Sequence, residues 1–282
     1  MNTMVLQGAG LTVHAGEAIA RQLAAEVKAF ENFVVLHFDS ANMLDLDALR
    51  QEYSFDINVL PGDFLANQAK LLVMDMDSTL ISIECIDEIA DFMNLKPQVS
   101  EITESAMRGE IDFETSLRSR VSLLKGLPVS VLEQVYQQRL KLNPGAELMI
   151  STLKSHNIKT ALVSGGFTFF TERLQHRLGL DYTMANVLAE QDGKLTGEVV
   201  GDVCGAESKA QFLLRQCDAL DIPPSQALAM GDGANDLLMM AEAGLSIAYH
   251  AKPKVQQQAS TVLNHCGLEG VLGLLHLNFS QA

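Results

Sequence analysis

Four short apolar runs without polar alternation most constrain the fold of this 282-residue chain: Leu71 to Met74, Thr160 to Val163, Ala227 to Met230 and Leu245 to Ala248. A strand with one wet face alternates apolar and polar residues. A strand buried on both faces reads as a continuous run, the habit of parallel sheets. Each of the first three runs is followed at once by small or polar residues and then by a helical pattern. That order predicts an α/β fold, a doubly wound (Rossmann-like) parallel sheet covered by helices. Ligands of such sheets bind beyond the carboxyl ends of the strands.

Two segments interrupt the alternation. Residues 83–140 carry helical patterns and no good strand, so they predict a helical cap inserted after the first strand and seated above the strand ends. Within them, Ser130 followed by Glu133 predicts a capping box. Between Met184 and Val200, Asp192-Gly193 separates two extended stretches and predicts a β-hairpin with a type I′ turn. Ahead of the sheet, residues 1–66 read as a small N-terminal α+β domain. Its expected elements are a strand at Leu11 to His14, a helix from Gly16 to Phe30, a strand at Phe33 to Phe38, a helix near Leu46 to Tyr53 and a strand at Phe55 to Leu60. Pro61-Gly62-Asp63 then breaks the chain.

Charge and cysteine usage narrow the function. Acidic residues number 35 against 20 basic ones, a net charge of −15, of which residues 1–66 contribute −6. Such a surface repels nucleic-acid phosphates and anionic lipid, so neither nucleic acid nor a membrane surface is expected as a partner. Cys85, Cys204, Cys217 and Cys266 are scattered without CxxC spacing and read as buried thiols of a reducing compartment. Met1 to Leu11 carries no basic residue and does not read as a signal peptide. No apolar run approaches the roughly 18 residues a membrane helix needs. A cytoplasmic location is the expectation.

Four motifs at the strand ends carry chemistry. Asp75-Met-Asp-Ser-Thr79 places two carboxylates, Asp75 and Asp77, on the same side of a strand end. Unpaired, they would take up a proton or bind a cation; alone, a solvated turn is an equal reading. Ser164-Gly165-Gly166-Phe167 precedes a helix running to about Leu178 and offers a hydroxyl and backbone amides at a helix N-terminus to an anion. Alone, it is better read as an N-cap and a plain turn. Lys209 alone is a surface charge. Gly231-Asp-Gly-Ala-Asn-Asp236 crowds two more carboxylates and an amide into a glycine loop. Its all-oxygen donors suit Mg²⁺ and not zinc, although an acidic N-cap loop would also serve the helix dipole.

Together these motifs converge on one edge of one sheet. Carboxylates need a cation, while the Ser-Gly-Gly segment and the lysine need an anion. Mg²⁺ plus phosphate satisfies both. A carboxylate there can act as a nucleophile and form an aspartyl-phosphate, with its neighbour as general acid and then general base.

Taken in order, the four motifs resemble the signature motifs of the haloacid-dehalogenase-like (HAD) phosphatases. The likeness is closer still to members acting on phosphoserine. Glu84, Met107-Arg-Gly-Glu110, Phe113, Ser119-Arg120-Val121 and Leu140 to Pro144 resemble their cap, and the segment Asp192 to Gly197 their hairpin. The resemblance covers about residues 68–275. It implies a HAD-type sheet in a phosphatase domain at 67–282, with the cap at about 83–140. It also implies Mg²⁺-dependent hydrolysis of O-phospho-L-serine to L-serine and phosphate, the closing step of serine biosynthesis.

The resemblance further implies Asp75 as the nucleophile and Asp77 as the acid and then the base, with Thr79 orienting the loop. Mg²⁺ would be held by Asp75, the backbone carbonyl of Asp77 and Asp232, with Asp236 in support. Ser164, Gly165 and Lys209 would hold the phosphoryl oxygens, and Asn235 would position them or the substrate. Glu84 would face the substrate ammonium and Arg120 its carboxylate, while Met107 and Phe113 would close the site from water. Without the resemblance, Glu84 reads as a first-turn acid, Arg120 as a surface charge, and Met107 and Phe113 as core.

Some relatives carry a small regulatory ACT-type domain ahead of the catalytic part, and the strand–helix alternation of residues 1–66 resembles it, in intact or degenerate form. They could bind serine, assist a homodimer or only pack against the catalytic part, and packing is the expectation. The alternative chemistry is a phosphotransferase, or a phosphatase for another small phosphorylated amino acid or metabolite.

Overall fold

The computed structural model describes residues 1–39 and 44–280. The N-terminal segment folds as β1 (Asn2–Gln7), α1 (Val13–Leu23), β2 (Glu26–Ala29), β3 (Phe33–Phe38), α2 (Leu46–Glu52) and β4 (Asp56–Val59). Its strands form an antiparallel sheet of order β2-β3-β1-β4. Two of the expected elements differ. The first strand is Asn2–Gln7, and Leu11 to His14 instead leads into α1, where the Thr12 hydroxyl accepts from Ala15 N–H at 3.2 Å. The first helix ends at Leu23, not Phe30. Ala24 takes a left-handed conformation and the chain re-enters the sheet as the exposed edge strand β2. The apolar spacing of Val27 and Phe30 continued the helical period by coincidence.

β1 is buried on both faces. Met4 and Leu6 pack under α1 and α2 with Ile19, Leu23 and Leu36. Val5, on the opposite face, joins Phe33 and Val35 against the end of the chain, including Leu272 and Phe279.

The rest of the chain begins with β5 (Leu71–Met74). Four cap helices follow: α3 (Cys85–Asp91), α4 (Lys96–Met107), α5 (Phe113–Ser122) and α6 (Ser130–Gln138). Then come α7 (Ala146–Ser155), β6 (Lys159–Phe167), α8 (Thr168–Leu178), β7 (Tyr182–Gln191), β8 (Lys194–Val200) and α9 (Ala206–Ala219). The chain closes with β9 (Ala227–Gly231), α10 (Leu237–Glu242), β10 (Leu245–Tyr249), α11 (Pro253–Gln258), β11 (Thr261–Leu263) and α12 (Gly270–Leu274). Among the described residues the larger sheet has the order β11-β10-β9-β5-β6-β7-β8, parallel except for the edge strand β8.

Alternate residues of β5 feed two cores. Leu72 and Met74 pack with α7, α8 and α12, and Leu71 and Val73 with α9, α10 and α11. The chain builds outward from β5 in one direction through β6 and β7, then returns to add β9, β10 and β11 on the other side. The strand order therefore switches at β5, and the carboxyl ends of β6, β5 and β9 border one crevice.

The hairpin turn has φ of 50° at Asp192 and 73° at Gly193, both positive as a type I′ turn requires. The hairpin also clasps the cap: Gly126 N–H donates to Leu195 O and Leu195 N–H to Leu127 O, each at 2.8 Å. The expected capping box does not form. Backbone bonds from Val131 to Pro128 and from Leu132 to Val129 open α6, while the Glu133 carboxylate is held by Gln137 and Arg173. The four cysteines are buried thiols. Among the described residues no helix is long and apolar enough to cross a membrane.

Candidate active site

Buried strands deliver acids to the crevice. The last ladder bond of β5 runs from Asp75 N–H to Met230 O at 3.0 Å, after which the chain turns through Met76 to Leu80. Asp75 is only 5 % exposed. Lys209, itself 1 % exposed, reaches from α9 and places its ammonium 2.8 Å from Asp75 Oδ1 and 2.7 Å from Asp236 Oδ1. The second oxygen of Asp236 accepts from Gly233 N–H at 3.1 Å. Glycine at 231 makes this approach feasible, since a Cβ there would lie 2.3 Å from Asp236 Oδ2.

Too little positive charge is buried for the acids present. Burial pushes the Asp75 carboxyl well above its ordinary value, reinforced by Asp236 and opposed by Lys209. Asp77 is pushed up to about 7, first by burial and then by Glu84, against the hydrogen bond from Cys85. Asp232 is pushed up to about 6 by burial, Asp236 and Glu84, with Lys252 and Lys209 opposing. Burial alone would lower the Lys209 ammonium, but Asp236 and Asp75 outweigh it and hold it above the usual lysine value. Such a cluster attracts a cation. Oxygens of Asp75, Asp232 and Asp236 all lie within 4.8 Å of one another. The donors are all oxygen, so the group can hold a hard divalent metal.

Most of the residues singled out in the sequence line one cavity of about 810 Å³. Asp75, Asp77, Ser164, Gly165, Asp232 and Asn235 come from the strand ends, and Glu84, Phe113 and Arg120 from the cap. Thr79, Lys209 and Asp236 lie buried outside the lining. The Thr79 hydroxyl donates to Asp232 Oδ1 at 3.3 Å. Met107 ends α4, but its side chain lies outside the described ones.

Ser164-Gly-Gly166 sits differently from its expected place at a helix N-terminus. The segment belongs to β6, and α8 starts only at Thr168. It forms an irregularity in the β6–β7 pairing between Val163 and Phe167, the kind of bulge that re-aims groups beside a site. The Gly166 N–H donates to Ser164 Oγ at 2.8 Å. A Cβ on Gly166 would come within 3.0 Å of Asp77 Oδ2, so glycine keeps the strand close to the second acid.

The cap supplies the opposite wall. Glu84 directly precedes α3 and accepts from the Ser78 hydroxyl at 2.7 Å. Arg120, half-buried, faces Asp87, Glu84 and Asp77; burial lowers its pKa and these acids oppose that. Asp112 caps α5 by accepting from Thr115 N–H at 2.7 Å, and so sets Phe113 at the start of the helix. The ring, 37 % exposed, overlies Gly165, where a Cβ would meet it at 3.0 Å.

Three residues about the site were missed in the sequence. Asn186 of β7 donates to Gly165 O and accepts from Cys204 N–H, both at 2.8 Å, holding the bulge. Lys252 lines the cavity, and its backbone N–H donates to Asp232 O at 3.2 Å. Asn143 donates to Thr79 O at 2.7 Å. A lone asparagine inside a strand was the available signal for Asn186. Asn143, inside the segment Leu140 to Pro144 likened to the cap, and Lys252 both precede prolines in loops, and neither was given a role of its own.

Comparison with known proteins agrees with this geometry. The family model of the haloacid dehalogenase-like hydrolases matches residues 69–244. A phosphoserine phosphatase of a Polaromonas species is 54 % identical over 224 residues, spanning 78 % of this chain and 95 % of the relative. The Haemophilus influenzae phosphoserine phosphatase is 49 % identical, over 82 % of this chain and 74 % of its own. Among solved structures, a HAD family hydrolase of Salmonella enterica superposes with a TM-score of 0.90 at 31 % identity, covering 98 % and 99 % of the two chains. A probable phosphoserine phosphatase of Vibrio cholerae gives 0.82 at 40 % identity, covering 98 % and 86 %.

Proposed function

The chain belongs to the haloacid dehalogenase-like hydrolases and, within them, to the phosphoserine phosphatases; from that premise we propose that it cleaves O-phospho-L-serine to L-serine and phosphate through an aspartyl-phosphate on Asp75, with Mg²⁺ as its metal. One observation carries the assignment of roles. Asp75 and Asp77 line a cavity that the cap also lines with an acid, Glu84, and an arginine, Arg120. A phosphorylated α-amino acid needs a nucleophile and a proton donor at its phosphate end. At its other end it needs an anion for the ammonium and a fork-shaped cation for the carboxylate.

In this reading the Lys209 ammonium, 2.8 Å from Asp75, opposes the upward push of burial on that carboxyl and fixes it, and as a carboxylate Asp75 attacks phosphorus. The bond from phosphorus to the serine oxygen breaks, and Asp77, protonated near neutral pH, donates its proton to that oxygen. Asp77 as carboxylate then takes a proton from water as the water oxygen attacks phosphorus, releasing phosphate and restoring Asp75. Ser164, the Gly165 amide and Asn235, which line the cavity, would hold the phosphoryl oxygens. Phe113 covers Gly165 and excludes water. When bound by Asp75, Asp232 and the Asp77 carbonyl with Asp236 in support, Mg²⁺ supplies the positive charge that lets an anionic ester approach anionic carboxylates.

The same reading places the protein in the cytoplasm at the end of serine biosynthesis, with a small-molecule substrate and no nucleic-acid partner; the net charge of −15 supports the last point. Residues 1–66 are taken as a packing unit and 67–282 as the phosphatase part. The test is phosphate release across phosphoserine, phosphothreonine, phosphotyrosine and simple alkyl phosphates, with Mg²⁺ and with chelator. Phosphoserine should be the best substrate and chelator should abolish turnover. Equal rates on an alkyl phosphate lacking the ammonium and carboxylate would remove Glu84 and Arg120 from their roles.

A further inference from the structure

The cap leaves the sheet after Ile81 and returns at Leu142, and the two crossings lie side by side as a short antiparallel ribbon. Ile81 stands opposite Leu142; Ser82 N–H donates to Lys141 O at 2.9 Å and Asn143 N–H to Leu80 O at 3.0 Å. Asn143 adds its side chain to this ribbon. Its Nδ2 donates to Thr79 O at 2.7 Å and to Ile81 O at 3.3 Å. The loop it grips turns through Ser78 at φ 55°, ψ 0°, a left-handed conformation that side chains disfavour and that persists only when neighbours impose it. On its other side Thr79 donates its hydroxyl to Asp232. The returning segment is itself anchored from behind, since Leu268 N–H donates to Pro144 O at 2.7 Å.

We infer that Asn143 is a positioning residue for the reaction: its carboxamide fixes the main chain of Thr79, and through it both the turn that carries Asp77 and the hydroxyl that orients Asp232. The inference rests on the Asp75–Asp77 loop being the reacting loop, as proposed above. Its chemistry is specific. Two carbonyl oxygens face one –NH₂ group, so the position requires a donor, and an acceptor of the same size is worse than no side chain.

The test compares Asn143→Ala, Asn143→Asp and Asp75→Asn in the full chain. Removing a group that orients a metal ligand typically costs about 10-fold or more in activity or metal affinity. Asn143→Ala is therefore expected to lower kcat for phosphoserine about 10-fold with KM within about twofold, and to weaken Mg²⁺ binding measured by calorimetry several-fold. Asn143→Asp is expected to fall further, although aspartate is closer in size to asparagine. Parental kcat and Mg²⁺ affinity in Asn143→Ala would overturn the inference, whatever its melting temperature. A loss confined to KM, or Asn143→Asp performing better than Asn143→Ala, would also overturn it. Should Asn143→Asp fail to fold, Asn143→Ala decides alone. Activity in Asp75→Asn would sink the proposed function itself, whereas a dead Asp75→Asn beside an unimpaired Asn143→Ala would sink only the role of Asn143.

Discussion

Among the described residues carboxylates are buried at two places, which treat them in opposite ways. At the junction between the N-terminal sheet and the end of the chain, Asp56 is 4 % exposed and accepts from the backbone N–H groups of Asn264, His265 and Cys266 at 2.7, 3.1 and 2.9 Å. Beside it Asn58, fully buried, pairs with Val262 in both directions at 2.8 Å, as a neighbouring strand would. At the crevice, Asp75, Asp77 and Asp232 are given fewer donors than they can use, and burial drives all three upward. The first arrangement closes on itself and holds two sheets together. The second is incomplete and needs a metal and a substrate to finish it. Burial of an acid does not by itself mark function; a deficit of donors around it does.

The sharpest way to break the contrast is to neutralise one acid from each place. Asp75→Asn should lower phosphate release roughly ten-thousandfold or more in a chain that still folds. Full activity in that variant would show that the deficit at the crevice is not catalytic. Asp56→Ala should do the reverse. It strands three backbone donors and is expected to cost about 3 kcal/mol of stability in denaturant unfolding, with turnover at 25 °C near parental. If it unfolds at the parental midpoint, the junction is looser than its hydrogen bonds indicate.

A gentler probe uses pH. The folded-state values of about 7 for Asp77 and about 6 for Asp232 stand above the roughly 4 expected of an unfolded aspartate. Between those values the folded chain holds more protons than the unfolded one, so stability falls as pH rises from about 4 to about 7. The metal-free protein should therefore melt lower at pH 8 than at pH 5, and Mg²⁺ should raise the melting temperature more at pH 8. A metal effect that is the same at both pH values would argue against these carboxyls as the binding group.

The crevice was legible in the sequence and the junction was not. Strands buried on both faces must be continuously apolar, and acids placed beside glycines at their ends have no packing reason to be there; these local signals located Asp75, Asp77, Asp232 and Asp236. Lys209 had no local signal, because its burial between two aspartates depends on residues more than 25 positions away on either side. Ser164-Gly-Gly166 was recognised but misplaced, since a glycine pair before a helix reads as a turn while the pairing with β7 keeps it extended. Asp56 and Asn58 looked like ordinary polar residues at a strand. Their partners are more than 200 positions further on, and no periodicity records a contact of that span.

That span also bears on how the chain is made. The partners of Asp56 emerge 208 residues later. At ordinary synthesis rates of about 5–20 residues per second, the first sheet waits roughly 10–40 s for them. During that interval Val5, Phe33 and Val35, on one face of that sheet, lack the cover that Leu272, Leu274 and Phe279 of the same core later give them. The segment around α12 thus seals a sheet synthesised long before it. A chain cut before α12 would retain every residue proposed for the site and still leave that apolar face open.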